Sequence, residues 1–371
     1  MYNQLTRPPM QKKFNTPVKI VSALVTLTVS VNLAAAFDEP LNEEPADTPV
    51  FTDINLGHKN YVAIKYLKEN GLIHGYEDGS FKPLDEINRA EALKILTGAL
   101  SEQSTEQTPI AEESITLTEL PPDPEAIDAS ITVESETTTF QFADVPKDAW
   151  FYDFVLSAWE KQVVEGYPDG LFHPENTINR AESLKIALLL EGGIVPSSIT
   201  EPPYADVPID AWFAPYAQGA SERSLIIRSR ADGSLHPSQN MNRGDFADLV
   251  YRMIKSQNGN LFAVTTWYGF EDVNWGTASG EKFDTNLPTA AHKTLPFNTM
   301  IKVTNLANGK NVVVKINDRG PYAQGMDLDL TSSSFEAIAS LGAGVIVTEY
   351  EIVSETSTTN SETSNEIDYR F

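Results

Sequence analysis

Glu281, His292 and Asp318 are the side chains best suited by type and setting to move or hold a proton, and all three fall within residues 277–322. Glu281 follows Ser279-Gly280, a turn pair. His292 follows two alanines, which leave room around its ring. Asp318 ends the run VVVKIND and precedes Arg319-Gly320-Pro321, where the chain must turn. A carboxyl held by a rigid turn at the edge of a cleft suits general acid–base work. Plainer readings exist: Asp318 caps a turn or pairs with Arg319, and Glu281 is a solvated loop acid. His292 has no second His or Cys near it in residues 262–353, so no metal site is expected. No cofactor is expected either.

These groups need elements to hold them. The runs AVTTWYG, MIKVTNL, NVVVKIN and GVIVTEYEIV are β-rich, and Asn308-Gly309 between two of them signals a hairpin. A short helix fits Ser333 to Leu341. Short strands over residues 262–353 suit a small closed barrel.

The ordered motifs WYG, TASGE, TAAH, LPF, VTNL, INDRGP and DL[ST] closely resemble those of the rare lipoprotein A (RlpA) family, over about residues 262–353. The resemblance implies a six-stranded double-psi β-barrel. In enzymatic members the reaction is lytic cleavage of peptidoglycan glycan strands: the muramyl C6 hydroxyl attacks its own anomeric carbon and leaves a 1,6-anhydro end. On this resemblance Asp318 is the acid/base, Glu281 assists by charge or hydrogen bonding, and His292 positions one of them or the sugar. Ser279 and Arg319 fall in the same motifs and are expected to meet substrate. Trp267, Tyr268 and Tyr322 either stack on sugar rings or fill the barrel's end. Asp327 and Asp329 read as structural, Asp329 within the family's Asp-Leu-Ser, here Asp329-Leu330-Thr331. Expansin-like barrels, which bind polysaccharide without measurable hydrolysis, supply the other reading: a non-catalytic wall-binding protein.

Residues 51–254 hold three repeats. Their units begin FTDINLGHKNY, FADVPKDAWFY and YADVPIDAWFA, and continue to INRAEALKIL, INRAESLKIA and MNRGDFADLV. Each unit predicts two helices around an Asp-Gly turn. The first helix presents Ile64 and Leu67, matched by Val155 and Ala158 and by Ala217 and Ala220. The second opens on a capping box, Asn88 with Glu91 and Asn179 with Glu182. Asn242 with Asp245 is a weaker version. Arg89, Arg180 and Arg243 each stand at the first helical position. They either form anion sites with the helix start or brace the repeats by ion pairs.

The repeats resemble the S-layer homology (SLH) domain, whose Thr-Arg-Ala-Glu motif appears here as Asn-Arg-Ala-Glu at Arg89 and Arg180. That resemblance implies an α-helical pseudo-trimer that binds secondary cell-wall polymer or modified peptidoglycan, with Arg89, Arg180 and Arg243 as contacts. Lys59 stands where other copies have Trp150 and Trp212, and Arg228-Ser229 replaces the Gly75-Tyr76 and Gly166-Tyr167 pairs. Three equivalent grooves are therefore not expected.

The net charge of −25 is unevenly spread. Five acids and no base lie in residues 37–50, ten acids and no base in 101–141, and four acids with one Arg in 354–371. Such stretches repel themselves and bury no core, so the acidity says little about a partner, except that nucleic acid is not expected. Arg7, Lys12, Lys13 and Lys19 precede an apolar run from Ile20 to Leu33 and then Ala34-Ala35-Ala36, the pattern of a secretory signal cleaved after Ala36. No integral membrane span is expected after cleavage. The chain has no cysteine, so it forms no disulfide and carries no lipidated N-terminal Cys.

The expected organisation is a signal peptide (1–36), an acidic spacer (37–50), SLH motif 1 (51–100), an acidic linker (101–141), SLH motif 2 (142–192), SLH motif 3 (204–256), an RlpA-like barrel (262–353) and a disordered tail (354–371). The expected function is an exported cell-envelope protein that cleaves peptidoglycan glycan strands while its SLH motifs hold it to the wall.

Overall fold

The computed structural model describes residues 49–103, 140, 142–193, 195–226, 233–269 and 276–353. The expected signal sequence, nearly all of the expected acidic spacer and linker, the Arg228-Ser229 pair and the acidic tail lie outside these described residues.

Each repeat contributes a short helix and a second helix: α1 (Tyr61–Glu69) and α2 (Arg89–Gln103), α3 (Tyr152–Glu160) and α4 (Arg180–Leu190), α5 (Ala214–Glu222) and α6 (Arg243–Gln257). The expected inward residues of the first helices, Ile64, Leu67, Val155, Ala158, Ala217 and Ala220, are all buried in one shared core. Helix α2 runs three residues further than the repeat boundary expected at residue 100.

The repeats close on each other in a ring. Ile87 N–H donates to Met241 O at 3.0 Å, Met241 N–H to Ile178 O at 2.8 Å, and Ile178 N–H to Ile87 O at 3.2 Å. All three side chains are buried. A second repeated device sits beside it. The Asp53 carboxylate accepts the amides of Phe81 and Lys82, Asp144 those of Phe172 and His173, and Asp206 those of Leu235 and His236. Each Asp thereby pins the loop of its own repeat, whose Lys82, His173 and His236 take positive φ near 55°.

The capping boxes form as expected in α2 and α4: Glu91 N–H donates to Asn88 Oδ1 at 2.8 Å and Glu182 N–H to Asn179 Oδ1 at 2.9 Å. In α6 the Asp245 N–H still donates to Asn242 Oδ1, at 2.7 Å. The shorter Asp245 side chain turns instead to Asn242 Nδ2 and to Lys59 Nζ, 2.5 Å away.

Six strands follow: β1 (Leu261–Tyr268), β2 (Thr289–His292), β3 (Met300–Asn305), β4 (Asn311–Asp318), β5 (Leu328–Thr331) and β6 (Ile346–Ile352). They close into a barrel in the order β1-β5-β2-β4-β3-β6, with β1/β5 and β2/β4 parallel and the other pairs antiparallel. This is consistent with a double-psi barrel. Ala290, Ile301, Val303, Val314, Ile316, Leu328 and Leu330 fill its interior. The Asn308-Gly309 pair makes the expected β3–β4 turn, with Gly309 at φ 73°. Helix α7 (Ser332–Ile338) stops short of the expected Leu341, because Ala339 is extended and Ser340 Oγ caps a separate 3-10 turn at Leu341–Ala343.

Helical unit and barrel pack together, which composition alone did not foretell. Val62 N–H donates to Leu306 O at 3.1 Å and Gly57 N–H to Ala307 O at 2.7 Å. Ala63, Tyr251, Phe262 and Leu306 form a shared apolar cluster. Beside it the buried Glu349 carboxylate of β6 accepts from Tyr251 Oη and Asn260 Nδ2. No described helix is long and apolar enough to cross a membrane.

Candidate functional site

A register shift places the key carboxylate. Strand β2 pairs with β4 at Ala290↔Ile316, but the next pair is Ala291↔Asp318, so Asn317 is an extra residue on β4. A bulge of this kind re-aims side chains. Here both Asn317 and Asp318 meet the loop at residues 276–281: Asn317 Nδ2 donates to Glu281 Oε2 at 2.9 Å, and Asp318 Oδ1 accepts from Ala278 N–H at 2.8 Å. Asp318 Oδ1 also accepts from its neighbour's amide, Arg319 N–H, at 2.8 Å. The loop is tied back to the strand by Ser279 N–H on Asn317 O, at 3.1 Å.

Glu281 is fixed on both oxygens, since Lys315 Nζ lies 2.7 Å from its Oε1. The hydrogen bonds from Lys315 and then Asn317 hold its carboxyl below the usual range. Ser279 Oγ pairs with Thr277 Oγ1 at 2.9 Å. The structure therefore brings Asp318, Glu281 and Ser279 together around one loop and one bulge.

His292 is engaged elsewhere. Its Nδ1 accepts the amides of Thr294 and Leu295 at 3.2 and 2.9 Å, and its Nε2 lies 3.3 Å from Tyr350 Oη. The ring thus organises the turn into Leu295-Pro296-Phe297 as its own cap. Burial pushes its pKa down, Asp327 opposes this, and Lys293 and Arg319 reinforce it. Neutral His292 is the form that accepts two amides. Above the ordinary pKa of 6.5 both folded and unfolded chains hold it neutral, and its contribution is complete. As pH falls below 6.5 the unfolded chain takes up the proton first, so that stability drains away until the folded pKa is reached. His292→Ala is expected to lose about 1 kcal/mol at pH 8 from the two unmade bonds. The gap to wild type should narrow as denaturant titrations are repeated below pH 6.5. A constant gap would show that the ring's proton is not linked to folding.

Arg319 is also occupied. Its guanidinium stacks 3.7 Å over Phe297 and Nη1 reaches the carbonyls of His292 and Asp318 at 3.3 Å. Trp267, expected either on sugar or in the barrel's end, donates its indole N–H to Leu341 O at 3.1 Å and sets its ring against Phe335. Tyr322 is 86% exposed just after the turn and remains free to face a ligand. Tyr268 stacks on Phe283 with its hydroxyl inside the site, near Thr289 but without a well-formed hydrogen bond.

Asp329 was read as structural. It is half-buried, its Oδ1 has no partner, and burial with the Asp318 charge pushes its pKa up to about 7. The sequence signal was present in the Asp-Leu-Thr motif, but nothing local in it announces burial beside a second acid.

In the helical unit the first-turn amides are already taken. Arg89 N–H donates to Asn176 O and Ala90 N–H to Pro174 O; Arg180 and Ala181 donate to Gln239 O and Pro237 O; Arg243 and Gly244 donate to Asp85 O and Pro83 O. With these amides taken by backbone carbonyls, the bracing alternative for the three arginines is the one the local geometry favours. Three grooves remain, each touched by one of the three motif arginines. Arg243 lines one with Tyr76, Glu91 and Lys94, and Arg89 lines another with Tyr167, Glu182, Lys185 and Trp212. The third differs: Arg180 lies with Lys59, Asp245, Asp248 and the barrel's Val347. There Asp248 stands where α2 and α4 carry Lys94 and Lys185, and it is paired to Arg252 at 2.7 Å. Non-equivalent grooves were expected, and the contact with the barrel adds to the difference. Among the described residues no cluster of three or more His, Cys, Asp or Glu could hold a metal ion.

Residues 262–350 match the family described as lytic transglycolase, and residues 50–93, 141–182 and 203–247 match the S-layer homology domain. Curated relatives include a probable endolytic peptidoglycan transglycosylase RlpA of Synechocystis sp., 50% identical over 82 residues, which are 22% of this chain and 26% of that protein. Its counterpart in Treponema pallidum is 56% identical over 69 residues, 19% of this chain and 22% of that one. The endolytic peptidoglycan transglycosylase RlpA of Yersinia pestis is 44% identical over 89 residues, 24% of this chain and 25% of that one. The chain thus spans about a quarter of the length of these relatives. An apo expansin of Clavibacter michiganensis is similar at a TM-score of 0.22 and 19% identity, over 26% of this chain and 51% of that one, a likeness too low to carry weight.

Proposed function

We propose that this chain, with a lytic transglycolase-family barrel at residues 262–350 behind three S-layer homology domains, is an envelope-held enzyme that cuts peptidoglycan glycan strands and leaves 1,6-anhydro-muramyl ends. The observation that supports this most is the Asp318 carboxylate. A bulge aims it at a loop, two amide N–H groups orient it, and Glu281 is locked beside it by Lys315 and Asn317. Asp318 exchanges the proton with substrate. Glu281, held ionised, supports positive charge developing at the anomeric carbon. Ser279 and exposed Tyr322 contact the sugars. His292 serves by setting the turn that carries Leu295 and Phe297. The SLH unit holds the enzyme to wall polymer through its two similar grooves, those of Arg89 and Arg243.

The test is digestion of purified sacculi by the full chain, with the released ends identified by mass spectrometry. Anhydro-muropeptides are the expected product. Binding to sacculi with no anhydro ends from any preparation, including walls stripped of stem peptides, would instead make this a wall-binding protein.

Export is part of the proposal, motivated by the basic, apolar and Ala34-Ala35-Ala36 succession. N-terminal sequencing of protein recovered from the envelope should begin at Phe37. An intact Met1 would remove the cleaved-signal reading.

A further inference from the structure

We infer that Asp329 is the second working carboxyl of this site, the proton donor paired with Asp318 as base. This deepens the proposed function and rests on it. Three observations carry it. The first is register. Asp329 of β5 pairs with Ala291 of β2, and Ala291 pairs with Asp318 of β4. The two acids therefore flank one alanine in a single row across three neighbouring strands, with backbones roughly 10 Å apart at ordinary strand spacing. Only the small Ala291 side chain stands between them in that row.

The second is unsatisfied polarity. Four buried side-chain polar atoms among the described residues have no hydrogen-bond partner. Three of them are Asp329 Oδ1, Tyr268 Oη and Asn317 Oδ1, and all belong to this neighbourhood: Asn317 precedes Asp318, and Tyr268 and Asp329 both feel its charge. A fold that leaves such atoms unpaired at one place holds them for a ligand or a proton.

The third is the contrast between the two acids. Asp318 Oδ1 accepts two amide N–H groups. Asp329 is half-buried next to that carboxylate with no donor on its Oδ1, which favours the acid form. A carboxyl without a donor on its Oδ1, beside one that accepts two amides, is the member of the pair suited to carry the proton to the substrate.

The step balances without a co-reactant. The Asp329 carboxyl gives its proton to the glycosidic oxygen as the bond from that oxygen to the anomeric carbon breaks. The C6 hydroxyl oxygen bonds to the same carbon and yields its proton to Asp318. After product leaves, the proton passes from Asp318 back to Asp329, with the Tyr268 hydroxyl, which feels the charge of both, as a relay.

Two measurements on the full chain test this. In carboxyl NMR titrations, Asp329 should titrate near neutrality in wild type and shift downward in Asp318→Asn, which removes the neighbouring charge. Titration in the ordinary range near 4, or no response to Asp318→Asn, would overturn the pairing. This arm stands even if wild type cuts nothing, in which case the proposed function fails separately. In the second arm, Asp329→Asn should lower release of anhydro ends by at least ~10²-fold and abolish the alkaline fall in the kcat/KM profile. Its melting temperature should stay at or above that of wild type, since an unpaired buried acid is removed. Wild-type rates in Asp329→Asn, or a loss of rate with the alkaline limb unmoved, would overturn the donor role.

Discussion

Asp318→Asn is expected to abolish release of anhydro ends, by at least ~10²-fold, with the barrel still folded. The asparagine carbonyl can accept the amides of Ala278 and Arg319 in place of the carboxylate, so the loop tie survives. What is lost is charge and the ability to take a proton. The change leaves Lys315 and Asn317 on Glu281 undisturbed, so the site keeps its shape. Thermal unfolding of the variant should therefore stay within a few degrees of wild type, whereas its products from sacculi vanish. Glu281→Gln behaves differently. It strands the Lys315 ammonium without its partner, and both rate and loop order should suffer. An Asp318→Asn protein as active as wild type would remove Asp318 from the chemistry and leave Glu281 or Asp329 as the proton-handling group.

Much of the architecture was legible because local signals repeat. Asn88, Asn179 and Asn242 cap helices where they were expected, and Asn308-Gly309 turns a hairpin. Long-range placement was not legible. The bulge at Asn317 depends on how β4 pairs with a distant β2, and no residue of VVVKIND declares it. His292 stands among small residues that suit a catalytic ring, yet two amides a few positions on claim its Nδ1. Trp267 and Tyr268 are adjacent in a strand and so face opposite ways. One goes to Phe335 in the interior and the other to Phe283 over the site, a choice fixed by register. The packing of the helical unit on the barrel rests on Tyr251, Phe262 and Leu306, apolar residues that their own repeat or strand already accounts for. The acidic tracts dominated the composition and obscured that contact.

The motif arginines carry the other large expected effect, on stability. Arg89 and Arg243 are buried, each reaching from one repeat into the next. Arg89 Nε donates to Phe172 O at 3.0 Å, its guanidinium lies 4.7 Å from the Tyr167 and Phe172 rings, and Glu182 is 3.8 Å away. Arg243 repeats this with Phe81 O at 3.0 Å, the Tyr76 and Phe81 rings, and Glu91 at 3.6 Å. Arg180 has less: it is half-buried and donates to Leu235 O at 2.8 Å. Removing a buried charge that is hydrogen-bonded and paired strands its partners, at a cost of about 3–5 kcal/mol. Arg89→Ala and Arg243→Ala should each lower the melting temperature by roughly 6–20 °C, taking 2–4 °C per kcal/mol for a unit of this size. Arg180→Ala should cost about 1 kcal/mol, the value of one hydrogen bond. Wall binding needs a separate probe, because unfolding of the arginine variants would mimic lost contact. Lys94→Ala with Lys185→Ala removes one cation from each of the two similar grooves without touching the buried arginines. That double variant should melt near wild type and co-sediment less with cell walls, by a margin that shrinks as salt screens the wild type. If Arg89→Ala melts like wild type yet no longer sediments, the motif arginine is a ligand contact and the bracing geometry contributes little.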